Sequence, residues 1–66
     1  MNPEAIRVKL RVDEEKYEAL YWTERFFDGN AVYHHLKVGR IESVGHSPEE
    51  CVRNMKRKLK KYQTGI

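Results

Sequence analysis

Sixty-six residues, 39% hydrophobic and 35% charged, with 13 Lys+Arg against 10 Asp+Glu for a net charge of +3, read as one small domain over residues 1–66. A chain of this length buries only about 60% of its unfolded surface, which argues against a self-contained enzyme with a deep pocket. No run approaches the roughly 20 apolar residues of a bilayer span, Met1-Asn2-Pro3-Glu4 opens no secretory signal and Cys51 is the single cysteine, so the expectation is a cytoplasmic protein away from the membrane.

Ile6 to Val12 alternates apolar and basic residues without a fault. That period of two predicts a strand with one buried and one wet face. Asp13-Glu14-Glu15-Lys16 reads as a polar hairpin loop. Tyr17 to Phe27 carries Tyr17, Tyr21, Trp22, Phe26 and Phe27 and reads as an aromatic second strand. Its facing stays open, because Leu20 and Trp22 compete with Ala19 and Tyr21 for the core. Asp28-Gly29-Asn30 is a turn, since Gly and Asn tolerate positive φ.

A third strand follows over Ala31–Val38, with Val32, His34, Leu36 and Val38 on one face and Tyr33, His35 and Lys37 on the other. Gly39-Arg40 is either a bulge in one long strand to Val44 or a two-residue turn into a fourth strand, Ile41 to Val44. The reading leans to the bulge. Ser47-Pro48-Glu49-Glu50 then opens a helix as a capping box, with the serine at the cap and proline at the first helical position. Val52, Met55, Leu59 and Tyr62 recur at helical spacing with Cys51 beside them, and Gly65 ends the run. The expected fold is therefore α+β: a three- or four-stranded antiparallel sheet with one C-terminal helix packed on one face. Its expected core is Ile6, Val8, Leu10, Val12, Leu20, Val32, Leu36, Val38, Ile41, Val52, Met55, Leu59 and Tyr62.

Little in the chain suggests catalysis. His34 and His35 are neighbours on a strand and point to opposite faces, and His46 and Cys51 lack the paired spacing of structural zinc sites. Cys51 on an apolar stripe reads as packing. There is no phosphate loop and no paired-carboxylate signature, so neither a metal, a cofactor nor an enzymatic reaction is expected.

Two surfaces remain. Residues 47–66 hold six cations and two anions, while residues 1–46 hold seven cations and eight anions. The first surface is the wet sheet face, where Arg7, Lys9 and Arg11 line up at roughly 6.5–7 Å intervals, extended by Tyr33, His35 and Lys37 or by Tyr21. Cations among aromatics pair with phosphates and stack on bases. The second is the helix exterior, with Arg53, Lys56, Arg57, Lys60 and Lys61. Its cations also suit the helix dipole, and exposed lysines also guard sheet edges.

The stretch Val44 to Lys56 resembles the end of the HicB-like antitoxin domain. A last strand there meets glycine, then serine or threonine, two acids, a small residue and an Asn-aliphatic pair. Gly45, Ser47, Glu49, Glu50, Cys51, Asn54 and Met55 occupy those places here, and Tyr17-Glu18-Ala19 is similar to the family's aromatic-x-alanine second strand. The family's proline-glycine loop is missing. The resemblance implies a protein that neutralises an mRNA-cleaving partner encoded beside it as a small basic toxin, or a stand-alone relative without the DNA-binding extension. The expectation is thus a non-enzymatic binding protein whose partner is a protein (a toxin or another enzyme). The alternatives are a nucleic-acid-binding sheet face and a phage or mobile-element inhibitor of a host enzyme. A homodimer is a further way to cover the aromatic strand.

Overall fold

The computed structural model describes residues 4–25 and 31–64. Four strands, β1 (Ile6–Val12), β2 (Glu15–Arg25), β3 (Val32–Val38) and β4 (Ile41–Gly45), are followed by one helix, α1 (Pro48–Thr64). The strands form an antiparallel meander in the order β1-β2-β3-β4, and α1 covers one face, giving the expected α+β fold. Phe26, Phe27, the Asp28-Gly29-Asn30 turn and Gly65 lie outside the described residues.

Two tight turns set the register. Val12 pairs with Glu15, so the first loop is Asp13-Glu14 alone, two residues shorter than the loop read from sequence. Val38 pairs with Ile41, and Gly39-Arg40 is a turn into a fourth strand rather than a bulge. Asp13 and Gly39 have φ of 57° and 59°, the positive φ that two-residue hairpin turns require at their first central residue. Glycine takes that conformation freely; aspartate does so at a cost.

Directly paired residues share a face, so the register settles which side of β2 is buried. Val8 faces Ala19, Leu10 faces Tyr17 and Ile6 faces Tyr21. The odd residues of β2 therefore join the helix side. Leu20, expected in the core, lies on the open face at 41% exposure, because its neighbours in the ladder are Arg7 and Lys37. The buried core is Leu10, Val12, Ala19, Leu36, Cys51, Met55 and Leu59, with Val8, Tyr17, Tyr21, Val38, Ile41 and Val52 packed around it.

Helix α1 runs back along β4. Residues 51, 54 and 58 meet residues 43, 44 and 42: Ser43 Oγ donates to the Cys51 carbonyl at 3.0 Å, Asn54 Nδ2 to Val44 O at 2.9 Å and Lys58 Nζ to Glu42 O at 2.6 Å. Gln63 Nε2 then donates to Tyr17 Oη at 2.7 Å, tying the last turns to the start of β2. Ile6 on the helix side stays 57% exposed, and Tyr62 is 71% exposed at the rim of the helix stripe. Both were expected in the core; one helix is too narrow to cover four strands.

The strand-to-helix junction explains the motif around Gly45. A Cβ there would lie 2.6 Å from Cys51 N and 3.0 Å from Cys51 Cα, so only glycine lets the first helical turn fold onto β4. Ser47 Oγ accepts the Glu50 N–H at 3.1 Å, and the Glu50 carboxylate accepts the His46 N–H at 2.6 Å. The capping box thus closes one residue earlier than its usual form, on the residue before the cap. Every residue of the motif with a described contact here works at the joint between β4 and α1.

Candidate functional site

With α1 on one side, the other side of the sheet is left open among the described residues. The residue pairs build it in rows. Arg7, Leu20, Lys37 and Glu42 form one row across all four strands, and Trp22, His35 and Val44 form the next. Glu24 and Tyr33 continue it, while Lys9 faces Glu18 and Arg11 faces Lys16. Arg7, Lys9, Arg11, Tyr33, His35 and Lys37 therefore do share one face, as the period of two requires. Tyr21 does not join them: it lies on the helix side, where its hydroxyl meets His34 Nδ1 at 2.6 Å.

Trp22 is the residue of this face that the sequence reading left unplaced. Its ring stacks on His35, with centroids 5.1 Å apart and planes within 3°. Tyr33 packs against His46 at 4.7 Å with a 48° tilt. Leu20 and Val44, at 41% and 47% exposure, flank these rings. The centre of the face is thus aromatic and aliphatic, and its β1 side is basic. His35 Nε2 is shielded from solvent and lies 2.8 Å from Glu24 Oε1, off the line of a hydrogen bond. That contact is a charge contact, attractive when the imidazole is protonated. Glu18, Glu24 and Glu42 place three carboxylates among the cations.

The helix exterior holds the second candidate set on the far side of the molecule. Arg53, Lys56, Arg57, Lys60 and Lys61 are all exposed, but they spread over a broad arc. Arg53 and Lys56 flank Pro48 and Val52, whereas Arg57 and Lys61 border a cleft with Val44 and Asn54 beside β4. Arg57 and Lys61 follow Asn54 and Lys58, which hold the β4 carbonyls.

Cys51 is fully buried, with its Sγ 3.4 Å from Ser43 Oγ. Burial pushes the thiol above its ordinary value; the Ser43 hydrogen bond opposes this, and the nearby Glu50 carboxylate adds to it. A neutral, enclosed thiol is a packing group, since the thiolate is the reactive form. His34 and His35 point to opposite faces, and among the described residues no three His, Cys, Asp or Glu side chains converge as metal ligands. Among the same residues, no helix is long and apolar enough to cross a membrane.

No protein-family model matches the chain, and no curated protein or solved structure matches it significantly.

Proposed function

We propose that the chain is a non-catalytic protein-binding module that works through the open face of its sheet, in the manner of a stand-alone relative of the HicB-like antitoxins. The observation that carries this reading is the makeup of that face. Trp22, Leu20, Val44 and the Trp22–His35 stack form an apolar centre, and charged residues surround it. An aromatic centre with a polar rim is the anatomy of a protein interface. The basic β1 side favours a partner that presents carboxylates. A small basic toxin is a poor complement to it, so the stand-alone form of the resemblance fits better than the toxin-neutralising one.

Nucleic-acid binding is the second reading, and the row of Arg7, Lys9 and Arg11 favours it. Two features count against it. Glu18, Glu24 and Glu42 repel phosphates, and Trp22 and His35 stack on each other rather than each offering a ring face to a base.

Trp22 is the single tryptophan and reports directly on the face. Titration with single- and double-stranded RNA and DNA at low and moderate salt is expected to leave its fluorescence unchanged. A photo-crosslinker replacing Leu20 is expected to yield a protein adduct in cells, and the same group at Arg53 to yield none. A salt-dependent nucleic-acid titration that is lost in the triple variant Arg7→Ser, Lys9→Ser, Arg11→Ser would replace the protein reading with the nucleic-acid one.

A further inference from the structure

The two edges of the sheet are finished differently. Val38 and Ile41 are the hydrogen-bonded pair that closes their turn, and such pairs alternate along an antiparallel ladder. The backbone groups of Glu42 and Val44 therefore point away from β3, out of the sheet. Both carbonyls are taken by the helix: Asn54 holds Val44 O and Lys58 holds Glu42 O. The same arithmetic at the Val12–Glu15 pair turns the N–H and C=O groups of Arg7, Lys9 and Arg11 outward from β1. Among the described residues, no side chain or backbone group meets them. α1 side chains occupy the outward carbonyls of the β4 edge, and nothing among the described residues covers the β1 edge.

The side chains of β1 select what can pair there. A second copy in antiparallel register would set Lys9 against Lys9 and Arg7 against Arg11, and like charges directly opposite are destabilising. A strand with carboxylates at alternate positions reverses the sign of every one of those pairs. Its intervening residues would fall on the helix side beside Ile6, which is 57% exposed, and Val8, which is partly buried. Those positions call for apolar side chains.

We propose that the β1 edge is a strand-addition site for an extended segment of a partner protein that alternates acidic and apolar residues. This rests on the protein-binding reading above and adds to it the place and chemistry of the contact. Main-chain hydrogen bonds then supply affinity and the alternating side chains supply specificity.

The probe is a blocked seven-residue peptide alternating Glu and Val, matching the seven residues of β1, with a Lys–Val peptide as control. Amide hydrogen exchange is followed by NMR on the full chain. The Glu–Val peptide is expected to slow exchange at Arg7, Lys9 and Arg11 by about tenfold or more, while the Lys–Val peptide leaves it unchanged. The triple variant Arg7→Glu, Lys9→Glu, Arg11→Glu, on exposed positions, is expected to exchange these preferences. Equal response to both peptides, no response to either, or protection that grows with protein concentration alone would overturn the proposal. Shifts confined to Trp22 and His35, with the three β1 amides unprotected, would overturn the edge site and leave the open-face reading standing.

Discussion

Replacing Gly45 with alanine tests the joint on which the fold turns. The new methyl would sit 2.6 Å from Cys51 N, 3.0 Å from Cys51 Cα and 3.0 Å from the Glu50 carbonyl carbon. All three atoms belong to the backbone of the first helical turn, so no side-chain rotation relieves the clash. Restoring a carbon contact near the usual ~3.5 Å moves the helix start outward by about 1 Å. That displacement lifts Cys51 and Met55, both fully buried, from their seats on the sheet and stretches the 3.0 Å Ser43–Cys51 bond. Overpacking of this kind costs about 1–3 kcal/mol, and the loosened contacts place Gly45→Ala at the upper end. A domain of this size holds only about 3–10 kcal/mol in total, so the variant loses a large share of its stability. Gly39→Ala is the internal control. It meets nothing within 4 Å but has φ of 59°, so it carries only the left-handed backbone cost of about 1–2 kcal/mol. Urea unfolding followed by Trp22 fluorescence and by circular dichroism separates the two. A Gly45→Ala midpoint equal to the natural chain's, or above that of Gly39→Ala, would refute the close approach of β4 and α1.

Three further outcomes follow from the packing. Leu59→Ala, at a residue 1% exposed, is expected to cost about 2–5 kcal/mol, whereas Tyr62→Ala, at 71% exposure, should stay within about 0.5 kcal/mol; equal losses would place the helix stripe wrongly. Asp13→Gly removes a left-handed non-glycine residue with φ of 57° and is expected to raise stability by about 0.5 kcal/mol, read as a shift in the urea midpoint. The Cys51 thiol is raised above its ordinary value of 9.0 by burial, so the folded state resists losing that proton while the unfolded state releases it. Its contribution is full below pH 9.0 and is lost as the pH rises through the raised folded value. The stability difference between the natural chain and Cys51→Ala should accordingly narrow above pH 9.0 and stay flat below it.

The local elements were legible because each was set by neighbouring residues. Ile6 to Val12 alternates without interruption, and Ser47-Pro48-Glu49-Glu50 caps a helix through contacts spanning four residues. The candidate face was legible for the same reason: Arg7, Lys9, Arg11, Tyr33, His35 and Lys37 follow from strict alternation within single strands. The facing of β2 was not, since Ala19, Leu20, Tyr21 and Trp22 put apolar groups on both sides and pattern alone selects neither. A signal was nonetheless present in the loop. Whether Asp13 begins a two-residue or a four-residue connection, Val12 pairs with an odd-numbered residue, so Ala19 and Tyr21 must join the core and Trp22 must join the open face.

Other features required the third dimension. The choice between bulge and turn at Gly39-Arg40 depends on whether β4 finds a place beside β3, and α1 secures that place through Asn54 and Lys58. The exposure of Ile6 and Tyr62 depends on the width of one helix against four strands. Periodicity decides which way a side chain points, but burial also needs a neighbour to cover it. That neighbour comes from the distant return of α1 across the sheet. Its return covers the Glu42 and Val44 carbonyls on the β4 edge and, among the described residues, leaves the outer edge of β1 without a neighbouring strand.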